Sequence, residues 1–236
     1  LIFQSTIRTL IQYFPKGYNI QNTESRSELL IEKLRATGVN YLYLKDAFIE
    51  RKPVQQLFNV EYDAGHWNAN GDFYGNQLIL SKNKEKFSEV SIPDITNYSV
   101  TSILMKTLQV SHFPIQEYVP YYRIKNTSAI QNKEVVDSLK ISTSSGYHSH
   151  YVNQSAMTSN RLLLFGDSSM QSSAQHYLNG FAEVTFLHNR NLPHIEDSIA
   201  KLNPNIIILA VTERTLGPTG NNAFIGNEII EIFNGL

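Results

Sequence analysis

RLLLFGDSS, the sequence at residues 161–169, joins a short apolar run to a Gly-Asp-Ser turn. The run predicts a buried strand over 161–165, and the pattern after the turn predicts a helix over 168–178. Because such strand–helix units recur with short turns, we expect an α/β fold with a parallel sheet covered by helices on both faces. The units that follow are a strand at 183–187, a helix at 194–202 and a strand at 205–211.

The first ninety or so residues of the chain indicate the same α/β alternation. Apolar residues at helical spacing predict a helix over 24–37, which Gly38 ends. A strand at 39–44 follows, and then a short helix that is capped by Asp46 and ended by Pro53. The remaining elements expected here are an extended segment at 58–62 and a helix at 70–80.

Residues 88–160 differ in texture from the rest of the chain. They are rich in Ser, Thr, Asn and Tyr, and they show few helical patterns. We interpret this stretch as an insertion of irregular and short β structure on a single α/β domain that spans residues 1–236. The insertion is expected to line one side of a functional site and to govern what binds there.

The composition excludes several classes of protein. With 42% hydrophobic and 17% charged residues, the chain of 236 residues is expected to fold rather than remain disordered. A formal net charge of -1 provides no general attraction for nucleic acid or anionic lipid, so we expect neither as a partner. The absence of cysteine excludes disulfides, thiolate metal sites and a cysteine nucleophile. The longest apolar run, at 206–211, is far shorter than the roughly 20 residues that span a bilayer.

Ser168 is the candidate nucleophile. A serine at a strand-to-helix turn lies at the carboxyl edge of a parallel sheet, where its own backbone N–H and the positive end of the helix face a developing oxyanion. The alternative is a purely structural turn, in which Gly166 allows a tight bend and Asp167 or Ser168 caps the helix. Taken alone, Gly-Asp-Ser favours the structural alternative.

A second motif changes that balance. DAGHW, at residues 63–67, places an Asp three residues before a His at the end of a predicted strand. In such a turn Asp63 can hold the Nδ1–H of His66 and leave Nε2 to act as a base. Because the ends of parallel strands share one edge, Ser168, His66 and Asp63 are predicted to form a catalytic triad. Considered separately, His66 and Trp67 would be ordinary packing residues.

Other polar groups are weaker candidates. His148 and His150 alternate along the chain, but no carboxylate cluster is near them in sequence, so we expect no metal site. Glu213 and Arg214 follow the strand at 205–211 directly. They either form a salt bridge at the rim of the sheet or shape a substrate pocket.

The two motifs together resemble those of the SGNH hydrolase superfamily. In this chain the Asp-His block precedes the Gly-Asp-Ser block, an order similar to that of the AlgX and AlgJ type of polysaccharide O-acetyltransferases. The segment 34–52, the Trp67-Asn68 pair with Gly71, and the closing segment 203–214 also resemble this type. The resemblance implies a flavodoxin-like three-layer α/β/α fold, a Ser nucleophile and a His-Asp pair.

The chain departs from the AlgX type in two places. Two residues separate Asp63 from His66, where that type has one, and Ser169 follows the nucleophile, where an aromatic residue is common. The SGNH blocks that supply further oxyanion donors are not recognisable. The expected oxyanion hole therefore consists of the Ser168 amide, with the Ser169 amide as the best second donor.

The resemblance implies a serine-dependent O-acetyltransferase of the cell envelope or of an exopolysaccharide. Ser168 would carry the acetyl group, His66 would transfer the proton and Asp63 would orient His66, with no metal or cofactor. The implied partners are a polysaccharide acceptor and an acetyl donor delivered by a membrane-bound O-acyltransferase. We expect an extracytoplasmic location, with an N-terminal signal or anchor outside this chain. The expected substrate contacts are Trp67, Arg214, Tyr147 and Tyr151.

Two alternatives stay open at this point. A carbohydrate acetyl esterase of the SGNH type forms the same acyl-enzyme and passes the acyl group to water instead of a sugar hydroxyl. A catalytically silent module would instead bind glycans by stacking sugars on the insertion, through Tyr121, Tyr122, Tyr147 and Tyr151.

Overall fold

The structure is a computed structural model that describes residues 2–4, 26–61, 66–106, 116–139 and 148–212. Its helices are α1 (Arg26–Arg35), α2 (Lys45–Arg51), α3 (Ala69–Lys84), α4 (Lys133–Asp137) and α5 (Ile195–Leu202). Its strands are β1 (Ile2–Gln4), β2 (Leu42–Tyr43), β3 (Tyr98–Lys106), β4 (Gln116–Ile124), β5 (Ile130–Gln131), β6 (His148–Val152), β7 (Arg161–Gly166), β8 (Glu183–His188) and β9 (Ile206–Thr212). Short 3₁₀ turns occupy Ile95–Asn97, Ser168–Met170, Ser172–His176 and Asn189–His194.

The main sheet is mixed. Its strand order is β2-β1-β9-β7-β8-β6-β5, and the pairings from β2 to β8 are parallel. At the other edge β6 runs antiparallel to β8, and β5 runs antiparallel to β6. The prediction of a wholly parallel sheet is therefore wrong at this edge. Both edge strands come from the insertion, and an edge strand can join a parallel sheet in the antiparallel sense because it needs no crossover helix.

Strand β7 divides the core into two layers. Leu162 and Leu164 point into one apolar cluster, and Leu163 and Phe165 point into the other, as period-2 alternation requires. The second cluster is completed by residues of α1 and α5, while the first contains residues of α3 and of the chain after β7. The fold is thus an α/β fold with helical layers on both faces of the sheet. Within the described residues, no helix has the length and apolar character needed to cross a membrane.

Of two local predictions in the first part of the chain, the one for Gly38 is confirmed and the one for Asp46 is wrong. Gly38 has φ of 72°, a left-handed conformation that suits glycine at the end of α1. Asp46 is not a cap, since α2 begins one residue earlier and its N-cap, Leu44, makes no side-chain cap hydrogen bond. Asp46 lies instead in the first helical turn, where a negative charge interacts favourably with the helix dipole.

The helix predicted over 168–178 is replaced by two short 3₁₀ turns. The segment contains four serines at positions 168, 169, 172 and 173, and serine hydroxyls and their preferred caps compete with α-helical hydrogen bonding. The Asp167 carboxylate accepts from the Ser169 amide, and this fixes the first turn.

The insertion is more ordered than the sequence indicates. Strands β3 and β4 pair antiparallel along their whole length and form a hairpin separate from the main sheet. The hairpin packs on α3 through Phe73, whose ring lies 5.4 Å from those of Tyr98 and Tyr122. Among the described residues, the β structure of the insertion thus comprises this hairpin and the β5–β6 edge of the main sheet.

A buried histidine on β6 makes the stability of the fold depend on pH. His150 Nδ1 lies 2.8 Å from Thr185 Oγ1, and burial lowers the pKa of His150, an effect that Glu183 partly offsets. The unfolded chain then binds more protons than the folded one, so stability is present above the ordinary pKa and is lost as pH falls through the folded pKa. We expect the free energy of unfolding to fall as the pH drops below the ordinary histidine pKa of about 6.5.

The change His150→Asn, which keeps a nitrogen near Thr185, should reduce this pH dependence in urea titrations. It should not abolish it, because burial and Arg190 also lower the pKa of His188. Identical pH profiles for the variant and the wild type would contradict the assignment to His150.

Candidate active site

The structure brings the two sequence motifs together. Ser168 directly follows Asp167 at the carboxyl end of β7 and is exposed. Its Oγ lies 3.5 Å from His66 Nε2, at the long end of hydrogen-bond distance. Sites without substrate are often this loose and tighten when substrate binds. Asp63, the predicted triad acid, lies outside the described residues, so its role stays a prediction.

The turn that carries Ser168 is held by the Asp167 carboxylate. Oδ1 accepts from the Ser169 amide at 2.9 Å and from the Ser169 hydroxyl, and Oδ2 accepts from Thr212 Oγ1 at 2.5 Å. Thr212 is the last residue of β9, so the carboxylate joins the ends of two neighbouring strands. The Ser169 amide is consequently occupied, and the expectation that it serves as a second oxyanion donor does not fit this geometry.

Gly166 allows this turn to be tight. A Cβ at Gly166 would lie 2.6 Å from Cβ of Met170, closer than real side chains approach. Met170 is buried and belongs to the apolar cluster beneath the turn. Glycine at this position therefore lets the chain fold back over Met170 and present Ser168 at the surface.

His66 is positioned by a short antiparallel pairing. Phe58 and Trp67 form a β-bridge, and Asn59 N–H donates to His66 O at 3.3 Å. Asn68, two residues after His66, caps α3 by accepting from the backbone N–H groups of Asn70 and Gly71. Asn68 is the kind of N-cap that helices prefer, and it fixes the entry of the chain into α3 two residues beyond His66.

Glu117 ties the hairpin to the segment that precedes His66. Its Oε2 accepts from the Glu61 N–H at 2.9 Å, and its Oε1 accepts from the Val60 N–H at 2.9 Å and from Gln56 Nε2 at 3.1 Å. Charge-assisted hydrogen bonds to backbone N–H groups are among the stronger ones in proteins. The hairpin and the His66 segment are therefore joined by a specific contact.

Trp67 has a structural position. It is 6% exposed, it stacks on Phe48 with ring centroids 6.0 Å apart, and its Nε1–H donates to Ser169 O at 3.0 Å. Its ring also borders the catalytic cavity. Most of the ring lies in the core and its one polar atom donates to Ser169, so contact with substrate through the edge that borders the cavity stays a prediction. The indole links the His66 segment to the Ser168 turn.

A cavity of about 250 Å³ opens between the His66–Ser168 pair and the hairpin. The catalytic side contributes mainly polar groups: His66, Ser168, Ser172 and Gln175. The hairpin contributes an apolar surface formed by Ile103, Met105, Val119 and Tyr121. These four residues lie on one face of the hairpin, as the strand alternation and register require.

No protein-family model matches the chain, and no curated protein matches it either. Solved structures do match. The chain shares its fold with PatB1. The structure of Bacillus cereus PatB1 gives a TM-score of 0.67 at 18% identity, covering 95% of this chain and 86% of that chain.

Two further structures are similar. A structure of Bacillus cereus PatB1 with a sulfonyl adduct gives a TM-score of 0.64 at 17% identity and covers 93% of this chain and 82% of that chain. The structure of a DHHW family protein from Eubacterium siraeum gives a TM-score of 0.61 at 13% identity and covers 98% of this chain and 81% of that chain. At these identities the likeness is one of fold.

A buried polar network that the sequence did not reveal lies beneath the cavity. Asp72, on α3, is 4% exposed and its Oδ2 lies 3.3 Å from His176 Nε2. His176 Nδ1 in turn lies 2.9 Å from the hydroxyl of Tyr98 on the hairpin. Ser172, Ser173 and Asn76 also donate to Asp72. The one sequence signal is the position of Asp72 on the helix face that is buried, since a buried acidic residue requires hydrogen-bond partners. The sequence alone does not show which residues these partners are.

The contacts between residues 66–76, which lead into and begin α3, and residues 168–177 run in one direction. His66 meets Ser168, Trp67 meets Ser169, Asp72 meets Ser172, and Asn76 meets Tyr177. The two segments are thus aligned in parallel. Each step along one segment is matched by a step along the other.

The remaining predicted substrate contacts are not assembled at the cavity. Tyr151 lies on β6 and packs, partly buried, against the core cluster on one face of the main sheet, so its role in substrate binding stays a prediction. Tyr147, Glu213 and Arg214 lie outside the described residues. Of the other tyrosines, Tyr121 borders the cavity and is 47% exposed, whereas Tyr122 is 6% exposed and donates to Asn70 Oδ1.

His150, one of the two histidines considered above as metal ligands, contacts Thr185 through Nδ1 and Glu183 through Nε2. Over the described ranges, no group of three or more His, Asp or Glu side chains is arranged to hold a metal ion.

Proposed function

We propose that the protein is a serine-dependent O-acetyltransferase that acts on a polysaccharide of the cell envelope. The observation that carries the proposal is the 3.5 Å approach of His66 Nε2 to Ser168 Oγ at the carboxyl edge of the sheet. The fold shared with PatB1 and the resemblance to the AlgX and AlgJ type support it. The fold comparison is compatible with an extracytoplasmic location. The flavodoxin-like arrangement and a donor supplied by a membrane-bound O-acyltransferase are part of the proposal through the family resemblance alone.

The proposed reaction has two balanced steps. Ser168 Oγ attacks the acetyl carbonyl of the donor while His66 takes the hydroxyl proton, and His66 then gives this proton to the departing donor group. A sugar hydroxyl next attacks the acetyl-Ser ester. His66 takes the proton of the sugar hydroxyl and returns it to Ser168 Oγ as the bond to the acetyl group breaks.

The Ser168 N–H is the proposed oxyanion donor in both steps, and Asp63 is the proposed partner of His66 Nδ1. Backbone donors of this kind act without reorganisation, because the turn that holds them is rigid before substrate arrives. The network of Asp167 with Ser169 and Thr212 provides that rigidity.

Hydrolysis is a second candidate activity. Ser168 is exposed, so water can reach an acetyl group attached to it. A carbohydrate acetyl esterase would use the same residues in the same first step. A catalytically silent glycan-binding module would carry out neither step.

Labelling with a sulfonyl fluoride tests the proposal. The wild-type protein should gain one sulfonyl group on Ser168, and Ser168→Ala should gain none. Ser172, which is also exposed at the cavity, is the internal control for the site of labelling. Labelled wild-type protein should no longer consume an aryl acetate. Labelling elsewhere, or continued turnover after labelling, would overturn the assignment of the nucleophile.

Incubation of the protein with an acetyl ester and candidate polysaccharides, followed by mass analysis of both the glycan and free acetate, separates transfer from hydrolysis. Acetylated glycan is the expected product. Acetate alone, with every acceptor, would favour the esterase.

A further inference from the structure

Ser172 has a fixed hydroxyl at the wall of the catalytic cavity. Its Oγ–H donates to Asp72 Oδ2 at 2.8 Å, and the side chain is exposed on the cavity side. A serine hydroxyl has a single proton. Because this proton is engaged in the hydrogen bond to Asp72, the oxygen of Ser172 can serve a group in the cavity only as a hydrogen-bond acceptor.

The orientation of Ser172 is set from below. Asp72 is buried and receives further hydrogen bonds from Ser173, Asn76 and His176, so its carboxylate cannot turn. A buried carboxylate with several donors is held in one position, because any rotation would leave polar groups unsatisfied. The acceptor direction of Ser172 is therefore a built feature of the site.

Two neighbouring features complete the surroundings of Ser172. Gln175 lies three residues further along the same 3₁₀ turn, where side chains at i and i+3 eclipse, and it also lines the cavity. Tyr121, across from this edge on the hairpin, is 47% exposed and belongs to the apolar face of Ile103 and Val119. The cavity thus combines a polar edge with an aromatic and aliphatic surface.

We propose that this part of the cavity is a subsite for one pyranose ring of the acceptor. A hydroxyl or acetamido N–H of the ring donates to Ser172, while Gln175 offers both an acceptor and donors. The apolar face of the ring packs against Tyr121. This inference rests on the proposed acetyl transfer from Ser168. It adds that the acceptor sugar must offer a hydrogen-bond donor to Ser172, besides the hydroxyl that is acetylated.

The test measures how the acetyl-enzyme divides between acceptors. With 4-nitrophenyl acetate as donor, transfer to chitotetraose and hydrolysis are measured together, and glycerol serves as an acceptor without a ring. Ser172→Ala should lower the ratio of chitotetraose transfer to hydrolysis about fivefold, the effect of one lost hydrogen bond. Ser172→Thr, which keeps the hydroxyl, should restore most of the ratio. Tyr121→Ala should lower it by a similar factor.

Ser173→Ala is the matched control. Ser173 also donates to Asp72, but it is fully buried and does not line the cavity. Its loss should lower the melting temperature and reduce transfer and hydrolysis by the same factor. If Ser172→Ala behaves in this way too, Ser172 is a structural residue and the subsite is overturned. The two serines differ in position and share their partner, so the comparison holds even if both variants lose stability.

The outcomes also separate this inference from the proposed function. If Ser168 is labelled by a sulfonyl fluoride but chitotetraose is acetylated no better than glycerol, the nucleophile stands and the subsite fails. If Ser168 is not labelled and no aryl acetate is consumed, the proposed function fails and the subsite fails with it. A higher ratio for chitotetraose, lowered by Ser172→Ala and restored by Ser172→Thr, supports both.

Discussion

Ser168→Ala, His66→Ala and the double variant should all reduce aryl acetate turnover by a similar factor, about a thousandfold or more. In the proposed mechanism the two residues act as one unit, since the role of His66 Nε2 is to take and return the proton of Ser168 Oγ, 3.5 Å away. Once either side chain is removed, removing the other should cause little further loss of turnover. The measurement is the initial rate of aryl alcohol release for the three variants.

Thermal unfolding provides the control for this prediction. Ser168 is exposed and His66 is half-buried, so neither substitution removes a core side chain, and the melting temperatures should stay close to that of the wild type. A double variant whose loss equals the product of the two single losses would show that the residues act independently. That result would contradict the proposed mechanism.

Trp67→Ala should produce the largest loss of stability, about 3–5 kcal/mol. The substitution removes a buried indole from the core cluster and the hydrogen bond from Nε1 to Ser169 O. Trp67→Phe retains much of the packing on Phe48 and loses the polar contact, so its loss should be smaller. Urea unfolding measures both, and aryl acetate turnover should fall for each because the indole links the two catalytic segments.

Tyr118→Ala is the control for the removal of a large aromatic side chain. Tyr118 is 71% exposed on the hairpin, and its truncation should change the unfolding free energy by less than about 0.5 kcal/mol. If Trp67→Phe loses stability but retains full turnover, the contact with Ser169 has no part in positioning the site.

The elements nearest to Ser168 were predictable because their signals are local. Strands β7, β8 and β9 are runs of apolar residues that are buried on both faces, and such runs end where the sheet ends. His66 does approach Ser168, but not from the end of a strand of the same sheet as expected, because the chain before it forms only an isolated bridge between Phe58 and Trp67 and is not part of the main sheet. Two local patterns were sufficient to indicate a long-range contact.

The form of the chain after Ser168 was not predictable from apolar periodicity. Residues 168–178 carry a pattern that suits a helix, but the hydrogen bonds that decide the outcome involve Asp72 and Asp167. Asp72 belongs to another element and lies on a face that the sequence does not mark as buried beside serines. Tertiary contacts to side chains thus replaced an α-helix by two 3₁₀ turns.

The insertion was recognised by composition, but composition did not indicate which of its tyrosines border the cavity. Tyr151 was expected at the cavity and lies in the main sheet, because β6 pairs with β8. Tyr121 borders the cavity, because the register of the hairpin turns it to the same face as Ile103. Composition indicates which residue types are available, whereas register decides which of them reach the site.

The parallel alignment of α3 with the chain after Ser168 has a consequence for folding. Six hydrogen-bonded pairs between these segments, beginning with His66 and Ser168, have sequence separations of only 100 to 104 residues. Closing one loop of that length costs about 4 kcal/mol of chain entropy, and the cost grows only with the logarithm of length. The first pair to form bears this cost and the other five form within a loop already closed. The His66–Ser168 pair and the buried Asp72 network are therefore expected to assemble in a single docking event. A chain that has formed the network should also have formed the pair.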